Sequence, residues 1–276
     1  MFLHIHIHIR NCATVLMPVE KILAEASMKG CGWRSFSLEQ IFAYLEEEIL
    51  GAPSFEELQF IINKCRHERD RKYGIRMYNL LQTLRLETNE ALGNQVVPML
   101  VEIGNIPEAH HVFSRLINPN ECSWEALISG YLNCGDLRCA LTLYRQKEES
   151  IRLSDHILTS LVKTCAKLKD LESGIRVHNE ISRVGLLAKE HILGSMLVNM
   201  YGKCGTVQVA RMVFDNMARR DVITWTTMIA CYAQQGLGEE AFDLAKQMQE
   251  SGVLPNAITF LNILYVCSHS GLLDEA

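Results

Sequence analysis

A shift of 101 residues lays this chain on itself. Trp225 then falls on Trp124, Tyr232 on Tyr131, Gly236 on Gly135, Phe214 on Phe113, Ala210 on Ala109 and Gly205 on Gly104, and Ile229 and Ala241 fall on Ile128 and Ala140. Self-similarity at fixed spacing constrains a fold strongly, because copies of one small unit bury their apolar faces between neighbours and not around a single centre. Each copy is a helical pair. Trp225, Met228, Ile229 and Tyr232 stand at i, i+3, i+4 and i+7, Gly236 breaks the pattern, and Ala241, Leu244, Ala245 and Met248 resume it before Gly252 and Pro255. Leu197, Met200, Tyr201 and Cys204, then Gly205, then Ala210, Val213, Phe214 and Met217 repeat the scheme with a shorter tail, Met217 to Asp221.

The units measure 35, 31 and 35 residues in turn: 55–89, 90–120, 121–155, 156–190, 191–221 and 222–256, with a partial unit at 257–276. One slip is visible. Cys65, Cys165 and Cys267 hold equivalent places but are 100 and 102 apart, which puts a lost residue early in 156–190 and a regained one near Ala188. The pattern predicts an all-α chain, an α–α superhelix built as a right-handed solenoid of helix-turn-helix repeats. About fourteen helices are expected, first helices lining the concave side and second helices outside. A tetratricopeptide-like scaffold that holds a peptide is the alternative architecture, but it calls for a uniform 34-residue period.

The ends differ from the middle. Met1–Arg10 alternates Leu3, Ile5, Ile7 and Ile9 with His4, His6 and His8, a strand-like period that admits a metal-binding edge or a leader segment; residues 1–17 are read as leader. Residues 18–54 read as a degenerate helical cap, with Val19, Ile22, Leu23 and Ala26 on one stripe. A second helix follows, opened by a capping box of Ser37 and Gln40 and carrying the solvated run Glu46, Glu47 and Glu48. Ala257–Ser270 supplies a first helix and Leu272–Ala276 begins its partner, as in a chain that continues elsewhere.

Composition narrows the function. No apolar run reaches the ~18 residues of a membrane span. Ten cysteines occur without a Cys-x-x-Cys. Cys65, Cys134, Cys165, Cys204, Cys231 and Cys267 fall in or at the end of first helices, beside the apolar stripe, as small core residues do. The net charge of −5 is unusual for a nucleic-acid binder, unless the few cations gather on the concave face. The segment 64–85 is locally basic through Arg66, Arg69, Arg71, Lys72 and Arg76, beside Glu68 and Asp70, and fits either a contact patch or a solvated face.

Catalytic signatures are missing. His178-Asn179-Glu180 has the spacing of the first half of a zinc deaminase motif, but no Pro-Cys-x-x-Cys follows to complete that site, and both residues fall inside a repeat helix. There is no phosphate-binding glycine loop and no Gly-x-Ser-x-Gly. The chain reads as a binder with no catalytic residues, no cofactor, no metal and no small-molecule substrate.

The alternation of 35- and 31-residue hairpins, with ITWTTMIACYAQQGLGEEAFDLAKQMQESGVLPN, VNMYGKCGTVQVARMVFDNMARRD and ITFLNILYVCSHSGLLDEA, resembles the plant-type pentatricopeptide repeat proteins of the PLS subclass. The resemblance covers about 220 of the 276 residues. It implies sequence-specific binding of single-stranded RNA in a mitochondrion or chloroplast, in C-to-U editing-site recognition. It also implies a chain truncated before the deaminase domain that such proteins often carry, so that a deaminase or other editing factor acts in trans.

The resemblance further implies that the fifth and last residues of a unit read one base, units running 5′ to 3′ along the RNA. The pairs are Asn94 with Asn120 (pyrimidine), Glu125 with Asp155 (no usual combination), Ser195 with Asp221 (guanine) and Thr226 with Asn256 (adenine). Gln59 with Asn89 and Ser160 with Glu190, in long units, contribute little. The implied target is pyrimidine, any, any, guanine, adenine. Residue by residue there is another reading: Asp221 and Asn256 stand where helix N-caps belong, and Ser195 and Thr226 could be polar surface. A fragment with too few useful units to bind specifically is the remaining alternative.

Overall fold

The computed structural model describes residues 36–46, 53–189 and 191–270. The leader, His4, His6 and His8, the 18–30 helix, Glu47, Glu48, Glu190 and 271–276 lie outside them. Among the described residues the chain forms fifteen helices and no strand. The N-terminal α1 (Leu38–Glu46) is followed by the pairs α2 (Phe55–Glu68) and α3 (Arg71–Thr83), α4 (Glu90–Glu102) and α5 (Ile106–Arg115), and α6 (Glu121–Cys134) and α7 (Leu137–Gln146). Then come α8 (Asp155–Leu168) and α9 (Leu171–Arg183), a single turn α10 (Leu186–Lys189), α11 (His191–Lys203) and α12 (Val207–Asp215), α13 (Val222–Gln234) and α14 (Gly238–Glu250), and the unpaired α15 (Ala257–Ser270).

Capping sets these boundaries. Ser37 and Gln40 form the expected box ahead of α1, and Ser54 with Glu57 forms another ahead of α2. Asp70, Asn89, Asn120, Asp136, Asp170 and Asp221 accept backbone N–H groups at the starts of α3, α4, α6, α7, α9 and α13. First helices mostly stop at a glycine in the left-handed region, such as Gly135 at φ 85°. In the two long units that place falls to Arg69 and Lys169, at φ 50° and 55°.

First helices α2, α4, α6, α8, α11, α13 and α15 each pack directly on the next. Second helices pack on their own first helix and on the first helix that follows, hardly on one another. A stack tight along one edge and splayed along the other curves toward the tight edge, so the first helices line the concave side of an α–α superhelix. Between units the core is made of aliphatic stripes clamped by aromatic rings. Phe113 meets Trp124 at 4.6 Å and 81°, and Phe214 meets Trp225 at 4.9 Å and 78°. His110 Nδ1 lies 2.6 Å from the Tyr131 hydroxyl, and His178 Nδ1 lies 2.8 Å from that of Tyr201. At the N-terminal end, Phe42 of α1 stacks on Tyr73 and covers the first pair.

First helices begin on the first residue of each counted unit except one: α8 starts at Asp155, with Ser154 before it at the N-cap. The missing residue therefore lies between Ala140, still in register with Ala241, and the start of α8. There α7 ends at Gln146, and the ammonium of Lys147 turns inward, 6% exposed, to donate to the Ile151 carbonyl at 2.6 Å and to face Glu180 at 3.4 Å. The connection, 147–154, closes around a buried ion pair and is longer than 251–256 after α14, because α7 itself stops sooner than α14.

Candidate nucleic-acid interface

The first helices carry open grooves along their exposed face. One, of about 270 Å³, lies on α11, α13 and α15, where Lys203, Thr226, Asn256 and Asn262 line it. Another, of about 480 Å³, lies across α2, α4, α6 and α8 and includes Arg66, Arg69, Glu102, Glu125, Ser154 and His156. Lys163 and Lys167 of α8 hold the places that Ser129 and Asn133 of α6 occupy in this second groove, so both are exposed toward the same side.

The pairs picked out by sequence meet at the joints between units. Thr226 Oγ1 is 2.8 Å from Thr259 Oγ1, and Thr259 donates both its N–H (2.9 Å) and its hydroxyl (3.0 Å) to Asn256 Oδ1. Ser195 Oγ is 2.6 Å from Thr224 Oγ1, and Thr224 donates N–H (2.8 Å) and hydroxyl (2.6 Å) to Asp221 Oδ1. Asn120 likewise accepts from the Ser123 N–H at 3.0 Å. The last residue of each of these units is thus an N-cap and also stands beside the fifth residue. For Asp221 and Asn256 the hydrogen bonds are those of an N-cap.

Two pairs depart from expectation. Asn94, 7% exposed, has its amide fully engaged: Nδ2 donates to the Glu90 and Asn118 carbonyls, and Oδ1 accepts from the Asn120 N–H and the Ser123 hydroxyl. It is bonded as a joint between units, with no amide group left over for a base. In the second pair, Glu125 accepts from the Ser154 N–H just as Asn94 accepts from that of Asn120. Ser154 therefore holds the last-residue place of that unit, and Asp155 is an exposed residue in the first turn of α8.

The third-residue hydroxyls Ser123, Thr224 and Thr259 were missed by counting fifth and last positions. Their signal was a hydroxyl residue at the same place in three units. The basic segment also resolves into structural roles: Arg66 and Arg69 both pair with Glu102, at 3.0 and 3.1 Å, Lys64 pairs with Glu68, and Arg76 lies over the rings of Phe42 and Tyr73. His178 and Glu180 are used similarly. Burial lowers the His178 pKa, and Glu180 accepts from the Tyr144 hydroxyl at 2.9 Å. Cys65, Cys165, Cys231 and Cys267 are buried, and burial pushes the Cys65 and Cys165 thiols up to about 12, while Cys134 is exposed at its helix end and not in the stripe. Among the described residues no helix is long and apolar enough to cross a membrane.

Residues 220–269 match the PPR repeat family, and 122–150 and 195–222 match the PPR repeat. The chain carries pentatricopeptide repeats. It is 38% identical over 174 residues to the pentatricopeptide repeat-containing protein DOT4, chloroplastic, of Arabidopsis thaliana, covering 62% of this chain and 20% of that protein. It is 32% identical over 273 residues to the Arabidopsis thaliana pentatricopeptide repeat-containing protein At5g65570, covering 96% of this chain and 37% of that one. The chain thus spans well under half the length of these relatives. The fold is similar to that of the pentatricopeptide repeat protein PPR10 in complex with an 18-nt psaJ RNA element, with a TM-score of 0.50 at 18% identity over 91% of this chain and 40% of that one. At that identity the likeness concerns the superhelix alone.

Proposed function

We propose that this chain is a sequence-specific single-stranded RNA-binding repeat protein of the PLS type, acting in organellar RNA processing at the step of C-to-U editing-site recognition. One observation carries the reading: at two successive joints the fifth residue of one unit, the last residue of that unit and the third residue of the next are hydrogen-bonded into one cluster, Ser195–Thr224–Asp221 and Thr226–Thr259–Asn256. One small polar cluster per unit, repeated along a groove, suits a ligand that is itself a repeat of bases. The resemblance to pentatricopeptide repeat relatives, one of them named chloroplastic and one solved with RNA, supports the same conclusion and a mitochondrial or plastid location.

Phosphate contacts fall to Lys163, Lys167 and Lys203, few enough that affinity depends on the bases. The unit 90–120 acts through Asn120 alone, and the next through Glu125 beside Ser154. The chain recognises RNA and leaves deamination to a factor in trans. Enrichment and sequencing of RNA bound by the purified chain should return guanine followed by adenine, 5′ to 3′, with weaker constraint at the three places before them. Recovery of RNA with no preferred sequence would defeat the proposal.

A further inference from the structure

We infer that Thr259 is a positioning residue that fixes the polarity of the Thr226–Asn256 pair, holding Thr226 as a hydrogen-bond acceptor and Asn256 as a donor toward the base between them. The inference rests on the base-reading function proposed above.

A backbone N–H can only donate, so the atom of the Asn256 amide that faces the Thr259 N–H at 2.9 Å is its oxygen. That oxygen also lies 3.0 Å from Thr259 Oγ1, and since a carbonyl oxygen only accepts, the single hydroxyl proton of Thr259 is directed to it. Asn256 is thereby anchored through Oδ1, and its Nδ2 is the branch turned away from α15, in a half-buried residue that lines the groove. With its proton committed, Thr259 can only accept from Thr226, whose hydroxyl is 2.8 Å away. Thr226 in turn has spent its proton and offers lone pairs.

The pair therefore presents one acceptor and one donor side by side. Adenine's outer edge carries the complement, a donating amine beside an accepting N1. Thr259 itself is 1% exposed and sits in the first turn of the next unit, so it acts through its neighbours and not by touching RNA. The same device recurs at Thr224, whose proton is directed to Asp221 Oδ1, so that Ser195 must donate to it. At Ser123 the proton runs the other way, to Asn94 Oδ1 at 2.7 Å, and the fifth residue is closed.

The test uses the full chain and four RNAs identical except at the base opposite unit 222–256: adenosine, purine riboside (no amine), 1-deazaadenosine (no accepting N1) and guanosine. Wild type should lose about tenfold in affinity with each of the two analogues, one hydrogen bond apiece. Thr259→Val should bind all four within about twofold of one another, and Thr259→Ser should restore the ranking. Thermal unfolding of each variant is recorded alongside. If Thr259→Val keeps the wild-type ranking, or Thr259→Ser fails to restore it at equal stability, the positioning role is wrong and base reading stands. If wild type loses nothing with either analogue yet discriminates adenosine from guanosine, the assigned polarity is wrong, a result that needs no variant to fold. If wild type binds all four RNAs equally, base reading by this unit falls, and the inference with it.

Discussion

The ring of Phe214 meets that of Trp225 edge-on, with centroids 4.9 Å apart and planes at 78°, across the joint between α12 and α13. Trp225 is 4% exposed, so almost its whole surface serves that joint. Trp225→Ala should cost about 3–5 kcal/mol. In a stack coupled only to nearest neighbours the loss stays local. Amide exchange should quicken across 191–256 and remain unchanged before 120. A uniform rise along the chain would mean that the units do not fold as a one-dimensional array.

Another joint should respond to acid. His178, packed edge-on against Tyr201, has its pKa lowered by burial from the usual 6.5. A histidine whose folded pKa is depressed binds fewer protons folded than unfolded. The stability it protects is therefore present above pH 6.5 and is lost as the pH falls from there through its folded value. Thermal melts of wild type and His178→Gln between pH 7.5 and 5 should show a steeper decline for wild type. Parallel declines would place the acid sensitivity elsewhere.

Lys169 offers a gain. It ends α8 in the left-handed region at φ 55°, where Gly135 ends α6 at φ 85° without the penalty of a Cβ. Lys169→Gly removes that strain but adds chain entropy to the unfolded state, for a net stabilisation of roughly 0.5–1 kcal/mol. A melting temperature below that of wild type would show that the lysine stem makes a compensating contact.

These cases mark what could be read from the chain. The stripes, the glycine stops and the 101-residue register are local periodicities, so Trp124, Trp225, Gly135 and Gly236 disclosed the repeat and hence the superhelix. The closure of Asn94 was hidden because its partners Asn118, Asn120 and Ser123 lie 24 to 29 residues away and meet it only once two units stack. The start of α8 at Asp155 was hidden for a similar reason: the preceding connection is held by a buried Lys147–Glu180 pair whose partners belong to different units. Counting from unit starts could find a position but not its hydrogen-bond partners.

Lys203 tests the electrostatic share of binding. It is exposed on α11 and lines the same groove as Thr226 and Asn256. If it neutralises one phosphate, Lys203→Ala should weaken binding about equally for every RNA sequence and flatten the slope of log K against log salt by ~0.7. A loss confined to one sequence would make Lys203 a base reader.

The last expectation is a switch of base at Asn256. Its Oδ1 is held by the N–H and hydroxyl of Thr259, so the branch left for a base is Nδ2, a donor that suits adenine's N1. In Asn256→Asp one carboxylate oxygen keeps the anchorage to Thr259, as Asp221 Oδ1 does with Thr224, and the other replaces the amide nitrogen. A donor has become an acceptor. Adenine's N1 then faces a lone pair and a negative charge, whereas guanine offers two N–H donors on the same edge. The preference of this unit should move from adenine to guanine by roughly 1–3 kcal/mol, or on the order of tenfold to a hundredfold. The added charge near the phosphates should also weaken every RNA slightly. Competition between two RNAs that differ only at this base, for both variants at one salt concentration, decides the matter. If wild type does not distinguish them, or the variant weakens both without reversing their order, Asn256 serves only as the N-cap of α15.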